Sequence, residues 1–149
     1  MFKVGIIGAG WIAEKMAEAL APLEDYCVYA IASRSIGKAT EFAGRWNIPK
    51  AYGSYEDMVK DNDVDLVYIA TPHSHHFPHA MLALNAGKPV LVEKAFTANA
   101  AEAEELIETA RSKGLFITEA IWTRYMPLSH KIKEIMESGI IGKPRVITA

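Results

Sequence analysis

Glu93 and Lys94 stand side by side directly after the apolar run Val90-Leu91-Val92. An acid and an amine delivered together at the tip of a strand can share one proton transfer. The amine gives or takes the proton while the carboxylate orients it or holds a hydroxyl. In a cleft beside a cationic ring such an ammonium is both desolvated and repelled, so it parts with its proton readily. Lys94 is therefore the candidate catalytic residue, with Glu93 beside it as a hydroxyl-binding or orienting group. The plainer alternative is a surface ion pair at a strand end.

Chemistry of a second kind is carried by Val4-Gly5-Ile6-Ile7-Gly8-Ala9-Gly10-Trp11-Ile12-Ala13, where an apolar strand passes into a glycine turn and then a helical pattern. Gly8 permits the tight turn. Gly10 permits close approach of backbone to a pyrophosphate, whose charge rests on the first amides of the helix, near Trp11 and Ile12. Ala13 occupies the third position of the glycine fingerprint, a variant allowed where helix and strand pack closely. In dinucleotide sites of this kind the second strand ends, about 20 residues on, in an acid that holds the ribose hydroxyls of NAD. Here that strand ends in Ala32-Ser33-Arg34-Ser35. A hydroxyl and a planar guanidinium suit a 2′-phosphate instead, so NADP is the expected cofactor, with NAD as the alternative.

Two further segments could complete such a site. Thr71 and Pro72 follow the run Leu66-Ala70 and could wall the nicotinamide ribose. Histidines at 73, 75, 76 and 79 invite a zinc reading, yet no carboxylate or thiolate occurs in the segment to complete a metal site. No metal is expected, and His73 and His76 are read as ribose-contacting or helix-capping groups. The cluster Trp122-Thr123-Arg124-Tyr125 could bracket the cofactor or reach a substrate, and could equally be packing between domains.

These groups need a frame, and the hydrophobic periodicity supplies one. Apolar runs at Lys3-Ile7, Cys27-Ser33, Leu66-Ala70, Val90-Val92 and Phe116-Glu119 alternate with helical patterns at Trp11-Leu20, Ser35-Trp46, His75-Ala86, Asn99-Ser112 and Pro127-Ser138. Strands apolar on both faces belong in a parallel sheet covered on either side, so the expected fold is α/β, a doubly wound and mostly parallel sheet. Ser54 and Asn99 read as helix caps, the latter with Glu102 three residues on. Ile141 to Ala149 reads as a turn feeding a new strand over 144–149, so the chain is expected to stop where a further domain begins.

Composition narrows the function classes. Sixteen basic and eighteen acidic residues among 149, without a long run of one sign, give no electrostatic support for a nucleic-acid or membrane-surface partner. The single cysteine, Cys27, has no partner for an internal disulfide, which points to a reducing cytoplasm. Glu14 and Lys15 follow the first apolar stretch too closely for a signal peptide. Two prolines and four histidines interrupt the span Leu66-Gly87, so it is not a membrane helix.

Taken in order, Gly8-Ala9-Gly10-Trp11-Ile12-Ala13, Thr71-Pro72-His73-Ser74-His75-His76, Glu93-Lys94-Ala95 and Trp122-Thr123-Arg124-Tyr125-Met126-Pro127 resemble the glucose-fructose oxidoreductase and inositol dehydrogenase family, Gfo/Idh/MocA. Within it, Glu119 to Tyr125 is most similar to the dimeric dihydrodiol dehydrogenase and D-xylose dehydrogenase branch. The resemblance implies an N-terminal Rossmann domain over residues 1–143. Residues 144–149 would then open a C-terminal domain that carries much of the substrate pocket and commonly the dimer face. It implies hydride transfer between nicotinamide and a secondary alcohol of a sugar or cyclic diol, in a homo-oligomeric enzyme. The family's Glu-Lys-Pro motif falls on Glu93, Lys94 and Ala95, so its proline is replaced. Its Asn-x-x-His pattern falls on His73 and His76, so its asparagine is missing. A different outcome would be a module that keeps the cradle for nucleotide sensing or partner binding and has lost catalysis.

Overall fold

The computed structural model describes residues 1–146 and Thr148. Six strands form one wholly parallel sheet: β1 (Phe2–Ile7), β2 (Tyr26–Ala32), β3 (Lys50–Tyr52), β4 (Leu66–Ile69), β5 (Val90–Val92) and β6 (Ile117–Glu119), in the order β3-β2-β1-β4-β5-β6. The helices between them are α1 (Trp11–Leu20), α2 (Ile36–Trp46), α3 (Tyr55–Val59), α4 (His76–Asn85) and α5 (Ala100–Ser112), and α6 (Pro127–Ser138) follows β6. The doubly wound sheet expected from the apolar runs is present. Strand order reverses between β1 and β4, and the connections leaving their carboxyl ends run to opposite faces of the sheet, at the switch point where open α/β sheets hold their ligands.

Burial explains why the runs read as strands. Ile7, Val67, Ile69, Val90 and Val92 pack against Met58, Ala80, Leu84 and Leu106 from α3, α4 and α5. On the opposite face Ile6, Ile31 and Tyr68 pack with Ala13, Ala39 and Phe42 from α1 and α2. Apolar area removed on both faces drives association at roughly 25 cal/mol per Å², so the inner strands β1, β4 and β5 are largely apolar, while the edge strands β3 and β6 carry Lys50 and Glu119. Caps set the helix starts: Ser54 Oγ accepts from Asp57 N–H at 3.1 Å and Asn99 Oδ1 from Glu102 N–H at 3.0 Å. Glu102 reaches back to the Ala98 amide at 3.1 Å, one residue ahead of the cap.

Three differences from the sequence reading stand out. β3 is an additional strand that pairs with β2 from Ala30 to Ala32, and its three residues are too few to establish a period. A 3-10 turn at His73–His75 precedes α4, so the expected helix start at His75 moves to His76. Pro144 to Val146 carry no regular secondary structure, and positions 147 and 149 of the strand expected over 144–149 lie outside the described residues.

The loop into β4 is held by charge. Asp61, whose side chain is 8% exposed, accepts from Lys50 Nζ at 2.9 Å and from the Tyr52 hydroxyl at 2.6 Å. Burial opposes its charged form, but Lys50, Tyr52 and the Asp63 amide outweigh burial and hold the carboxyl down to about 2. Since the folded form releases this proton more easily than an ordinary carboxyl of 3.8, the stabilisation is complete above pH 4 and is lost as pH falls toward 2. Asp61→Asn is expected to cost about 1–3 kcal/mol at neutral pH and to flatten that acid limb in chemical denaturation at stepped pH.

Candidate active site

α1 begins with no side-chain cap. Gly10 occupies the capping position ahead of Trp11, and the first amide drawn back into the helix is Ala13 N–H, bonded to Gly10 O at 3.0 Å. The amides ahead of it are free of the helix ladder and stand at the wall of a cavity of about 1150 Å³, to which Gly10, Trp11 and Ile12 contribute. A Cβ on Gly10 would meet nothing within 4 Å, so the space in front of the helix is open to a ligand. Gly8 is different: its φ is +104°, and a Cβ there would lie 2.8 Å from Ala70 O. Gly8 lets the end of β1 press against the end of β4, and Gly10 keeps the helix mouth clear.

Across the crevice the same cavity is walled by Thr71, Pro72 and His73 after β4, by Glu93 and Lys94 after β5, and by Trp122 and Tyr125 after β6. Its volume lies just above the roughly 300–1,000 Å³ usual for ligand clefts. A dinucleotide fits: open helix amides at one wall, a glycine whose absent Cβ clears the approach, and an amine at the far side. Ser33 and Arg34 are at the tip of β2 and are not part of the lining. Ser33 Oγ accepts from the Ser35 amide at 3.4 Å, and Arg34 is exposed. Arg124 is also exposed and outside the lining, on the 3-10 turn Trp122–Tyr125.

Glu93 is held rather than free. Its Oε1 accepts from the Tyr68 hydroxyl at 2.5 Å and its Oε2 from the Lys94 amide at 3.2 Å. Burial first, and then the Glu93 carboxylate, push the Tyr68 hydroxyl far above the ordinary phenol range, so it remains a donor at any working pH. Among the described residues the Lys94 ammonium has neither an ion-pair nor a hydrogen-bond partner, so the strand-end pair with Glu93 is not formed. Tyr68 is a site residue that the sequence reading missed. The available signal was a hydroxyl in a strand otherwise made of buried apolar residues, since a buried phenol must find a partner. Tyr68→Phe should lower stability by about 1–2 kcal/mol in thermal unfolding and leave Glu93 less fixed.

The histidines divide. His73 is exposed at the cavity and presents its ring edge-on to His76 at 5.4 Å. Neither ring caps its helix, because no side-chain cap bond is made at the 3-10 turn or at α4. His76 is fully buried, with Nδ1 at 2.7 Å from Ala95 O and Nε2 at 2.9 Å from Thr71 O. His79 Nδ1 meets Thr71 Oγ1 at 3.0 Å beneath the edge of Tyr55. Burial, then the nearby His75, lower the His79 ring to about 4, Glu56 opposing. The unfolded chain therefore takes up this proton first, and stability should decline as pH falls from 6.5 toward 4, before Asp61 begins to lose its charge. Among the described residues no group of three His, Cys, Asp or Glu side chains is placed to hold a metal ion.

Residues 2–120 match the Gfo/Idh/MocA model, described as an oxidoreductase family with an NAD-binding Rossmann fold. The chain belongs to this family. Trans-1,2-dihydrobenzene-1,2-diol dehydrogenase of Mus musculus is 46% identical over 147 residues, covering 97% of this chain and 44% of that protein. D-xylose 1-dehydrogenase (NADP(+)) of Hypocrea jecorina is 50% identical over 152 residues, covering 94% of this chain and 39% of that protein. The crystal structure of the 3-ketoreductase KijD10 of Actinomadura kijaniata with NADP superposes with a TM-score of 0.87 at 33% identity, over 95% of this chain and 45% of that one. This Gfo/Idh/MocA chain spans less than half the length of the curated relatives it matches. No helix among its described residues is long and apolar enough to cross a membrane.

Proposed function

We propose that this chain is the cofactor-binding portion of an NADP-dependent oxidoreductase acting on a secondary alcohol of a sugar or cyclic diol, in either direction. The observation that carries the reading is that the open amides of α1 and the unpaired amine of Lys94 line one continuous cavity. When bound, the cofactor would supply hydride as NADPH or accept it as NADP⁺. The chain supplies the rest. Gly10, Trp11 and Ile12 hold a pyrophosphate on backbone N–H groups and helix dipole. Ser33 and Arg34 recognise the 2′-phosphate from the tip of β2. Thr71, Pro72, His73 and Trp122 form the walls, and Lys94 gives or takes the hydroxyl proton while Glu93, held by Tyr68, orients the hydroxyl or the amine.

The mouse and fungal relatives, named for diol and xylose dehydrogenation, favour this substrate class; the fungal relative carries NADP in its name, and the ketoreductase was crystallised with NADP. Residues 1–143 would be the nucleotide-binding domain and 144–149 the entry to a substrate domain, with the larger enzyme a homo-oligomer in the cytoplasm. The 149-residue chain should then bind nucleotide and turn over poorly, since much of the substrate pocket lies elsewhere. Fluorescence titration with NADPH and NADH separately tests the reading. NADPH is expected to bind about 10- to 100-fold more tightly, the worth of one or two charge-assisted contacts, and Arg34→Ala should remove most of that margin. Tighter NADH binding would overturn the phosphate argument.

A further inference from the structure

We propose that His76 is a positioning residue that clamps the turn bearing Lys94 to the turn after β4, and so sets where the Lys94 amine stands in the cavity. The inference rests on reading Lys94 as the proton-handling group.

The side chain is 0% exposed, and a fully buried imidazole needs partners for its nitrogens. Both partners are backbone carbonyls on different loops, Ala95 O at 2.7 Å and Thr71 O at 2.9 Å. Carbonyl oxygens only accept, so a ring nitrogen is bonded to one only where it carries the proton: the neutral ring donates to one of the two carbonyls, and the doubly protonated ring to both. Ala95 directly follows Lys94 beyond β5, and Thr71 belongs to the neighbouring stretch of cavity wall beyond β4. The ring thus ties together two rims of the cavity that adjoin separate strands.

Other contacts complete the clamp without replacing it. Phe96 N–H donates to Glu119 Oε1 at 2.8 Å, which fastens the far end of the same turn to β6. Lys94 N–H donates to its neighbour Glu93. Neither bond reaches the Thr71 wall. With the Lys94 backbone pinned on both sides and its side chain unpaired, the amine has a defined origin and freedom only in its own rotamers. Proton transfer needs heavy atoms within about 2.6–3.2 Å, and a 1 Å displacement can cost about a hundredfold in rate, so the anchoring of this turn bears directly on chemistry.

The test uses the 149-residue chain. His76→Phe keeps a ring and removes both nitrogens. In this variant, amide hydrogen exchange at Lys94 and Phe96 should quicken at least about tenfold while β1 and β4 change little. In protein carrying ¹³C-methylated lysines, with the Lys94 signal assigned through Lys94→Arg, saturating NADPH should move that signal in the wild type and not in His76→Phe. His76→Gln, which retains a donor, should restore part of both responses. Unchanged exchange at Lys94 and Phe96 in folded His76→Phe, or acceleration spread evenly over the sheet, would overturn the clamp. A wild-type Lys94 signal indifferent to NADPH would instead sink the Lys94 reading, while the exchange result still decides the clamp. Should His76→Phe fail to fold, the wild-type ring decides: a slowly exchanging ring N–H in contact with Thr71 or Ala95 is expected, and rapid exchange of every ring N–H with water would refute the proposal.

Discussion

Gly8→Ala should destabilise the fold, whereas Gly10→Ala should leave it standing and weaken nucleotide binding. Both glycines lie in the same turn, but a side chain at each meets a different neighbour. At Gly8 the backbone has a φ of +104°, and the new Cβ would sit 2.8 Å from Ala70 O and 3.0 Å from Ala70 C. Those are backbone atoms at the end of the adjoining strand, which cannot swing aside as a side chain can. Left-handed strain of about 1–3 kcal/mol adds to an overpacking cost of similar size, so a loss of about 3 kcal/mol or more is expected in denaturant unfolding. At Gly10 the φ is −103° and nothing lies within 4 Å of the added carbon. The fold should lose less than about 1 kcal/mol, the ordinary difference between glycine and alanine at a helix cap. The methyl group would occupy the approach of a pyrophosphate, so NADPH affinity should fall about tenfold or more in the same fluorescence titration. Wild-type affinity in Gly10→Ala would show that no phosphate rests on α1.

That contrast also marks what sequence can disclose. The glycine turn was legible because a φ of +104° and a bare approach both call for glycine, so residue type and spacing carry the geometry directly. β1, β4 and β5 were legible because burial on both faces leaves unbroken apolar runs. β3 was not, since Lys50-Ala51-Tyr52 is held by pairing with β2 and by the Asp61 contacts, neither of which leaves a periodic trace. The support around Lys94 was hidden for a related reason. His76 bonds backbone carbonyls 5 and 19 residues away, and carbonyls carry no sequence identity. Tyr68 reaches Glu93 because parallel pairing sets Tyr68 beside Leu91 and Ile69 beside Val92, which brings the residue beyond β5 within range. Local signals name the groups that do chemistry; the groups that hold them depend on register and topology. In α6 the opposite holds: its helical pattern was plain, yet Leu128 and Ile132 remain 65% and 48% exposed, so pattern alone did not show where that face packs.

Lys94→Met in any turnover-competent polypeptide containing this chain should lower kcat by about 10²- to 10⁴-fold, the usual worth of a positioned proton-transfer group. NADPH affinity should change much less. The geometry gives the reason for the asymmetry. The phosphate contacts proposed above lie on α1 and at the tip of β2, whereas Lys94 follows β5 and makes no bond with either element among the described residues. Its backbone would remain pinned through Ala95 and Phe96 in the variant, so the cavity keeps its shape and only the amine is lost. Lys94→Arg should rescue little, because a guanidinium keeps its positive charge but does not surrender its proton at working pH. If Lys94→Arg turned over like the wild type, the amine would be serving as a charge alone. If Lys94→Met did so, proton transfer would have to be assigned to another residue.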